Sequence, residues 1–263
     1  MANSSRHLYL RTALFTTASG LLILGSGFWQ RADWAKAIWP WPDGPLSYLF
    51  IASMLLAEGS TMAWACATME LNAVRGGSLG FAALNAGMLM YTLHLFGKRG
   101  QPLLLGWAAV CGILAMGALA LFAIGSRYEI RDARPAPPVV RTSFLVFSAA
   151  LFTATAMLIA RRPIVFPWPL NPDSSVMFGF LFLASAIYFF DGWLRPSAAN
   201  SFGQLLGFLV YDMVLIPPYL HHWSKTRGGF RVSMAIYLIV LFWSAALALW
   251  FWIRYGLLKD RTA

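Results

Sequence analysis

The sequence predicts an all-α integral membrane protein with eight transmembrane helices. They form two tandem four-helix repeats related by a pseudo-twofold along the membrane normal. Composition is the first observation behind this: 59% of the residues are hydrophobic and only 11% charged, against roughly 25% charged in an average soluble domain. The second is the length of the uncharged runs, since about 20 apolar residues cross a bilayer as a helix. Positions 100–126 give 27 such residues in a row, and 76–97 and 232–253 give 22 each. The third is an internal repeat. Without any gap, residues 40–96 match residues 167–223 at 13 of 57 positions, and many of the matches are Pro, Trp, Gly and His, which a merely apolar composition does not supply.

Eight spans follow from the hydropathy: 8–29, 46–69, 76–97, 103–125, 141–160, 174–194, 200–223 and 231–254. The first leads into a Trp-rich loop and lacks a small-residue cleavage site, so it reads as a retained span rather than a signal peptide. Residues 1–126 make the first four-helix unit. Residues 127–140 form a polar connector stiffened by Pro135, Pro137 and Pro138, and 141–263 make the second unit. An even number of spans per unit gives both units the same orientation, the parallel-repeat arrangement. Eleven Lys and Arg fall on the side of the termini and nine on the other, which favours cytoplasmic termini. Cys66 and Cys111 sit inside spans two and four, on helices where no disulfide between them is expected.

Pro40-Trp41-Pro42 returns as Pro167-Trp168-Pro169, each followed by a further Pro at the start of the next span. Both loops fall on the face opposite the termini. Trp41 and Trp168 read as interfacial anchors, because indole buries an apolar body while its N–H stays near water. Asn171-Pro172 has helix-start chemistry, Asn as cap and Pro at the first helical position. Residues 32–39 read as a short helix lying at the head groups. The doubled Pro-Trp-Pro loop entering an apolar helix resembles a set of uncharacterised multi-spanning bacterial membrane proteins. The likeness rests mainly on Pro167 to Pro172, and the first copy departs from it with Asp43 where the second has Leu170. It implies a bacterial inner-membrane location and brings no activity with it.

Polar residues inside spans are costly and default to functional candidates. Glu58 lies 13 residues after Pro45, about 20 Å along a helix, near mid-bilayer. Asp212 is central in span seven. The 127-residue shift relates Glu58 to Ser185 and Asp212 to Asn85, so Glu58, Asn85, Ser185 and Asp212 form a candidate midplane polar site at the repeat interface. Such groups serve either as an ion, proton or solute site or as interhelical struts of about 0.6–2 kcal/mol per contact. Asp191 and Arg195, four apart, read as an interfacial ion pair. His94 and His221 are repeat equivalents, and two facing imidazoles would suit a haem or metal ion. However, no attachment motif accompanies them, and an interfacial role is preferred, with no cofactor predicted.

The net charge of +10 is scattered through short loops and builds no nucleic-acid groove. Basic loop residues meet anionic head groups instead. No nucleotide-binding loop, zinc-protease motif or nucleophile elbow is present. Two function classes remain: a structural or accessory subunit that packs with other membrane-protein subunits, and a small-solute, ion or proton transporter or channel. A haem- or metal-binding membrane protein is a third alternative.

Overall fold

In the computed structural model, residues 2–41 and 43–256 are described. Pro42 of the first Pro-Trp-Pro loop lies outside them, as do Lys259 and Arg261, two of the eleven basic residues on the side of the termini. The described chain is helical throughout, with one isolated antiparallel bridge between Pro135 and Ser197 and no strand. The helices are α1 (Ala2–Trp29), α2 (Asp33–Ile38), α3 (Pro45–Thr68), α4 (Val74–Arg99), α5 (Pro102–Gly125), α6 (Pro138–Ile159), α7 (Pro172–Leu194), α8 (Ala198–Trp223) and α9 (Gly229–Phe251). Eight of these, all but α2, are long and apolar enough to cross a membrane, and the chain is a multi-pass membrane protein. The eight spans read from hydropathy correspond to them within three residues at most boundaries, and the short helix expected before the first Pro-Trp-Pro loop is α2.

Local chemistry sets the helix starts. α3, α5, α6 and α7 each open on a proline, whose fixed φ suits the first turn and whose missing N–H is not needed there. Asn171 caps α7 as anticipated, its Oδ1 accepting the Asp173 amide at 3.0 Å. α8 runs unbroken through Pro217 and Pro218.

The helices gather into two compact units that do not follow chain order. The first holds α1, α2, α3, α8 and α9 together with residues 166–170, and the second holds α4, α5, α6 and α7. In the first, α1 packs on α3, α3 on α8, and α8 on α9. In the second, α5 packs on α4, α4 on α7, and α7 on α6. Within lipid there is no hydrophobic drive for one apolar helix to prefer another, so close approach at small residues decides the contacts.

The central crossing of each unit shows this. A Cβ added at Gly76 would come 2.7 Å from the Asp191 carboxylate, and one at Gly80 would overlap the Ala184 carbonyl. α4 therefore lies on α7 at those two points. In the other unit a Cβ at Gly203 would meet the Trp64 ring at 3.1 Å, and one at Gly207 would meet Thr61 Oγ1 at 3.0 Å with the Ala57 carbonyl beyond at 3.8 Å. Thr61 Oγ1 reaches the Gly203 carbonyl at 3.1 Å, which ties α3 to α8.

The outer helices leave apolar side chains uncovered. Leu103, Val110, Ile113 and Met116 on α5 are exposed, as are Val232, Ile236 and Ile239 on α9. These are surfaces for hydrocarbon, not water.

Candidate functional site

Asp212 is 1% exposed. Ser244 of α9 lies within 3.0 Å of both carboxylate oxygens, and the same hydroxyl is in reach of the Val240 and Leu241 carbonyls. These oxygens compete for the one hydroxyl hydrogen, and the Ser244–Asp212 contact joins α8 to α9 at mid-span. Asn85 is buried, its amide donating to the Phe81 carbonyl at 2.8 Å. Ser185 Oγ bonds the Leu181 carbonyl at 3.3 Å. Each of these three side chains satisfies itself within its own helix or the next one.

Glu58 differs. It is half-buried, and Ile51, Met62 and Ala65, which share its face of α3 at helical spacing, are buried. Its carboxylate has no hydrogen-bond or ion-pair partner among the described residues. It also stands apart from Asp212. The Tyr211 ring meets Phe50 at 6.1 Å, and Phe50 is eight residues from Glu58, about 12 Å along α3. No described residue bonds both acids of this unit.

Trp41 and Trp168 are 3% and 7% exposed, so protein covers both rings. Trp168 donates its indole N–H to Ser47 Oγ at 2.9 Å. Its ring lies 4.9 Å from Phe166 and 5.8 Å from Tyr219. Trp39, edge-on to Trp41 at 5.0 Å, donates to Asp43 at 2.9 Å. The exposed indoles of this region are Trp29 and Trp34. His94 and His221 are both exposed on their helices, and no group of three or more His, Cys, Asp or Glu able to hold a metal occurs among the described residues. Cys66 and Cys111 are free and buried.

Two charged networks accompany these residues. Arg195 pairs with Asp191 as the i,i+4 spacing anticipates, and also donates to Asn72 Oδ1 at 2.5 Å. Asn72 in turn donates to the Tyr128 carbonyl at 2.6 Å. This ties the end of α7 to the turns around α4 and α5.

The second network escaped sequence reasoning. Asp173, in the first turn of α7, accepts from Arg99 at 2.7 Å on one oxygen and from the Tyr91 hydroxyl at 2.7 Å on the other. Arg161 donates to that same Tyr91 oxygen at 2.7 Å and stands 3.7 Å from the carboxylate. A signal existed: an acid opening one span, with Lys98-Arg99 and Arg161-Arg162 expected on the same face.

Comparison with protein-family models, curated proteins and solved structures finds no match to this chain.

Proposed function

We propose that this chain is a structural or accessory component of a membrane assembly, built by tandem duplication of a four-span unit. The observation that carries the accessory reading is the self-sufficiency of the mid-span polar groups. Asp212, Asn85 and Ser185 bond within their own or the adjacent helix, which suits struts that fix helix register. A solute site would keep such groups aimed into a shared space. Partners are then other membrane-protein subunits, which would cover part of the exposed apolar surface. A bacterial inner membrane with cytoplasmic termini is the setting that goes with this reading.

The duplication has support beyond residue matches. Shifted by 127, the pairs α1·α3, α3·α8 and α8·α9 become α6·α7, α7·α4 and α4·α5, which are the pairs of the other unit. The same shift carries Gly76 and Gly80 onto Gly203 and Gly207, and it carries Ala57 and Trp64 onto Ala184 and Asp191, the residues those glycines meet. α1 and α6 also end alike. Arg31 and Arg161 both adopt φ of 54°, and in each turn the following amide reaches back five residues, Ala32 to Gly27 and Arg162 to Met157. The pseudo-twofold belongs to this proposal as the geometry such a duplication generates.

Transport is the second reading, and Glu58 is what favours it: a mid-span carboxylate on a buried helix face without a partner. Reconstitution into vesicles separates the two. The accessory reading expects no proton, cation or solute flux above protein-free vesicles, together with a stoichiometric membrane partner retained when the chain is purified at native expression level. Flux that disappears in Glu58→Gln while the variant keeps its thermal stability would replace it with transport. Haem ligation by His94 and His221 is tested by the absorption spectrum of the purified protein, where a Soret band would establish it.

A further inference from the structure

Between α4, α6 and α7, all within one compact unit, the Tyr91–Arg161 pair stands at the head of a cleft of about 340 Å³, the lower range for small-ligand sites. Its walls are Gly87, Met90, Ile159, Val176 and Phe180. Its polar end is Tyr91, His94 and Arg161, with the His94 ring stacked at 6.2 Å from Tyr91. The cleft is one-sided in chemistry, apolar along its length and cationic at one end.

The charge count at that end is unbalanced. Asp173 carries one negative charge, and Arg99 holds it directly at 2.7 Å. Arg161 reaches the same carboxylate only at 3.7 Å, and its side chain remains 51% exposed. One guanidinium of the two is therefore left without a full countercharge, and its one hydrogen bond among the described residues is to the neutral Tyr91 hydroxyl. A planar guanidinium in this state suits a phosphate oxygen pair.

Position decides what kind of phosphate. Arg161 follows the last turn of α6, Asp173 lies in the first turn of α7, and Arg99 ends α4, so the charged end sits where spans leave the hydrocarbon. The apolar wall runs inward from Pro172 to Phe180, about 12 Å along α7. Met90 and Ile159 on its rim are exposed, which opens the cleft towards acyl chains. At Gly87 a Cβ would overlap the Phe180 ring, so the glycine lets that ring lie across α4 as the cleft wall. The other unit has no counterpart, because the shift replaces Tyr91 with Pro218, Asp173 with Leu46 and Arg99 with Thr226.

We infer that this cleft binds one acidic phospholipid, its phosphodiester on Arg161 beside His94 and one acyl chain along Met90, Val176 and Phe180. The site does not depend on the accessory reading.

The test uses purified full-length protein in uncharged detergent, with melting temperature as readout. Three additives are titrated: dioctanoylphosphatidylglycerol, dioctanoylphosphatidylcholine and inorganic phosphate. The phosphatidylglycerol should raise the melting temperature saturably, and the other two should leave it unmoved. Arg161→Gln should weaken phosphatidylglycerol binding about ten- to a hundredfold, the worth of a charge-assisted hydrogen bond. Arg161→Lys, which keeps the charge and loses the fork, should fall between. Met90→Trp, filling the cleft from an exposed position, should abolish the shift while leaving the lipid-free melting temperature near wild type. A response to phosphatidylcholine equal to that of phosphatidylglycerol would overturn the inference. So would an equal response to phosphate alone, which indicates a free-anion site, or unchanged binding in Arg161→Gln. Should Met90→Trp fail to fold, the Arg161 variants decide alone.

Discussion

Trp168 and Ser47 are 121 residues apart in sequence and 2.9 Å apart in space, joined by an indole N–H on a serine hydroxyl that is wholly buried. The serine opens α3, and the tryptophan belongs to the loop between α6 and α7. Residues 166–170 thus seat themselves in the unit formed by α1, α3, α8 and α9, although the helices flanking that loop belong to the other. Removing the acceptor leaves a buried donor unsatisfied, so Ser47→Ala should cost about 1–3 kcal/mol. Trp168→Phe should cost a similar amount through lost ring area and the orphaned serine. A double-mutant cycle on thermal unfolding in detergent should return a coupling of about 1 kcal/mol, and zero coupling would show that the bond contributes nothing.

Gly80 and Gly207, 127 residues apart, have unequal room. Gly80→Ala drives a methyl into a backbone carbonyl that cannot move away, and should destabilise by about 1–3 kcal/mol. Gly207→Ala meets the Thr61 hydroxyl at 3.0 Å, which has to give by only a few tenths of an ångström, and should cost less than half as much. Gly117 has nothing within 4 Å, so Gly117→Ala is the control, neutral or stabilising by up to about 1 kcal/mol through helix propensity. Equal effects at all three positions would remove close approach as the cause.

Ser244→Ala withdraws the one side-chain partner that Asp212 has among the described residues and should lower stability by about 1–3 kcal/mol. Asp212→Asn, which can still bond Ser244, should retain most of it. Comparable losses in both variants would mean that packing volume, not hydrogen bonding, governs this point.

Arg195→Lys should behave as a damaging change despite keeping the charge. The fork that serves Asp191 and Asn72 together is lost, and lysine supplies no planar replacement. A loss of about 2 kcal/mol is expected, with increased proteolysis around residues 126–134 as a second readout. A lysine variant as stable and resistant as the parent would count against the network.

Hydropathy identified every span, because an uncharged run of bilayer length is a property of consecutive residues. The neighbours of each span were not legible that way. Leucine faces lipid and another leucine at similar cost, so nothing in the apolar pattern tells α3 to choose α8. The information was present elsewhere: Gly76, Gly80, Gly203 and Gly207 fall in two pairs 127 residues apart, and they mark the central crossings. The likeness of the turns at Arg31 and Arg161 is not legible in the ungapped match of 40–96 to 167–223, because their separation is 130 residues, three more than the shift. Among the candidate site residues, Asp212 stands out in the sequence as an acid inside an apolar run, while its partner Ser244 is one of many serines in apolar helices and carries no sequence mark. The inward packing of Trp41 and Trp168 was equally unreadable, since an indole beside prolines suits lipid and protein surroundings alike.

The interleaving of the two units has a consequence for how the chain is made. α1 and α3 can pair with each other early, but α8, on which α3 packs, and α9 leave the ribosome last, while α4 to α7 can close on one another as soon as they are inserted. The middle of the protein would assemble first, with the two earliest spans idle in the membrane until the last two arrive. A chain truncated after Ser197 should therefore hold one protease-resistant core and an α1–α3 pair that still lacks α8, the natural client of an insertion chaperone.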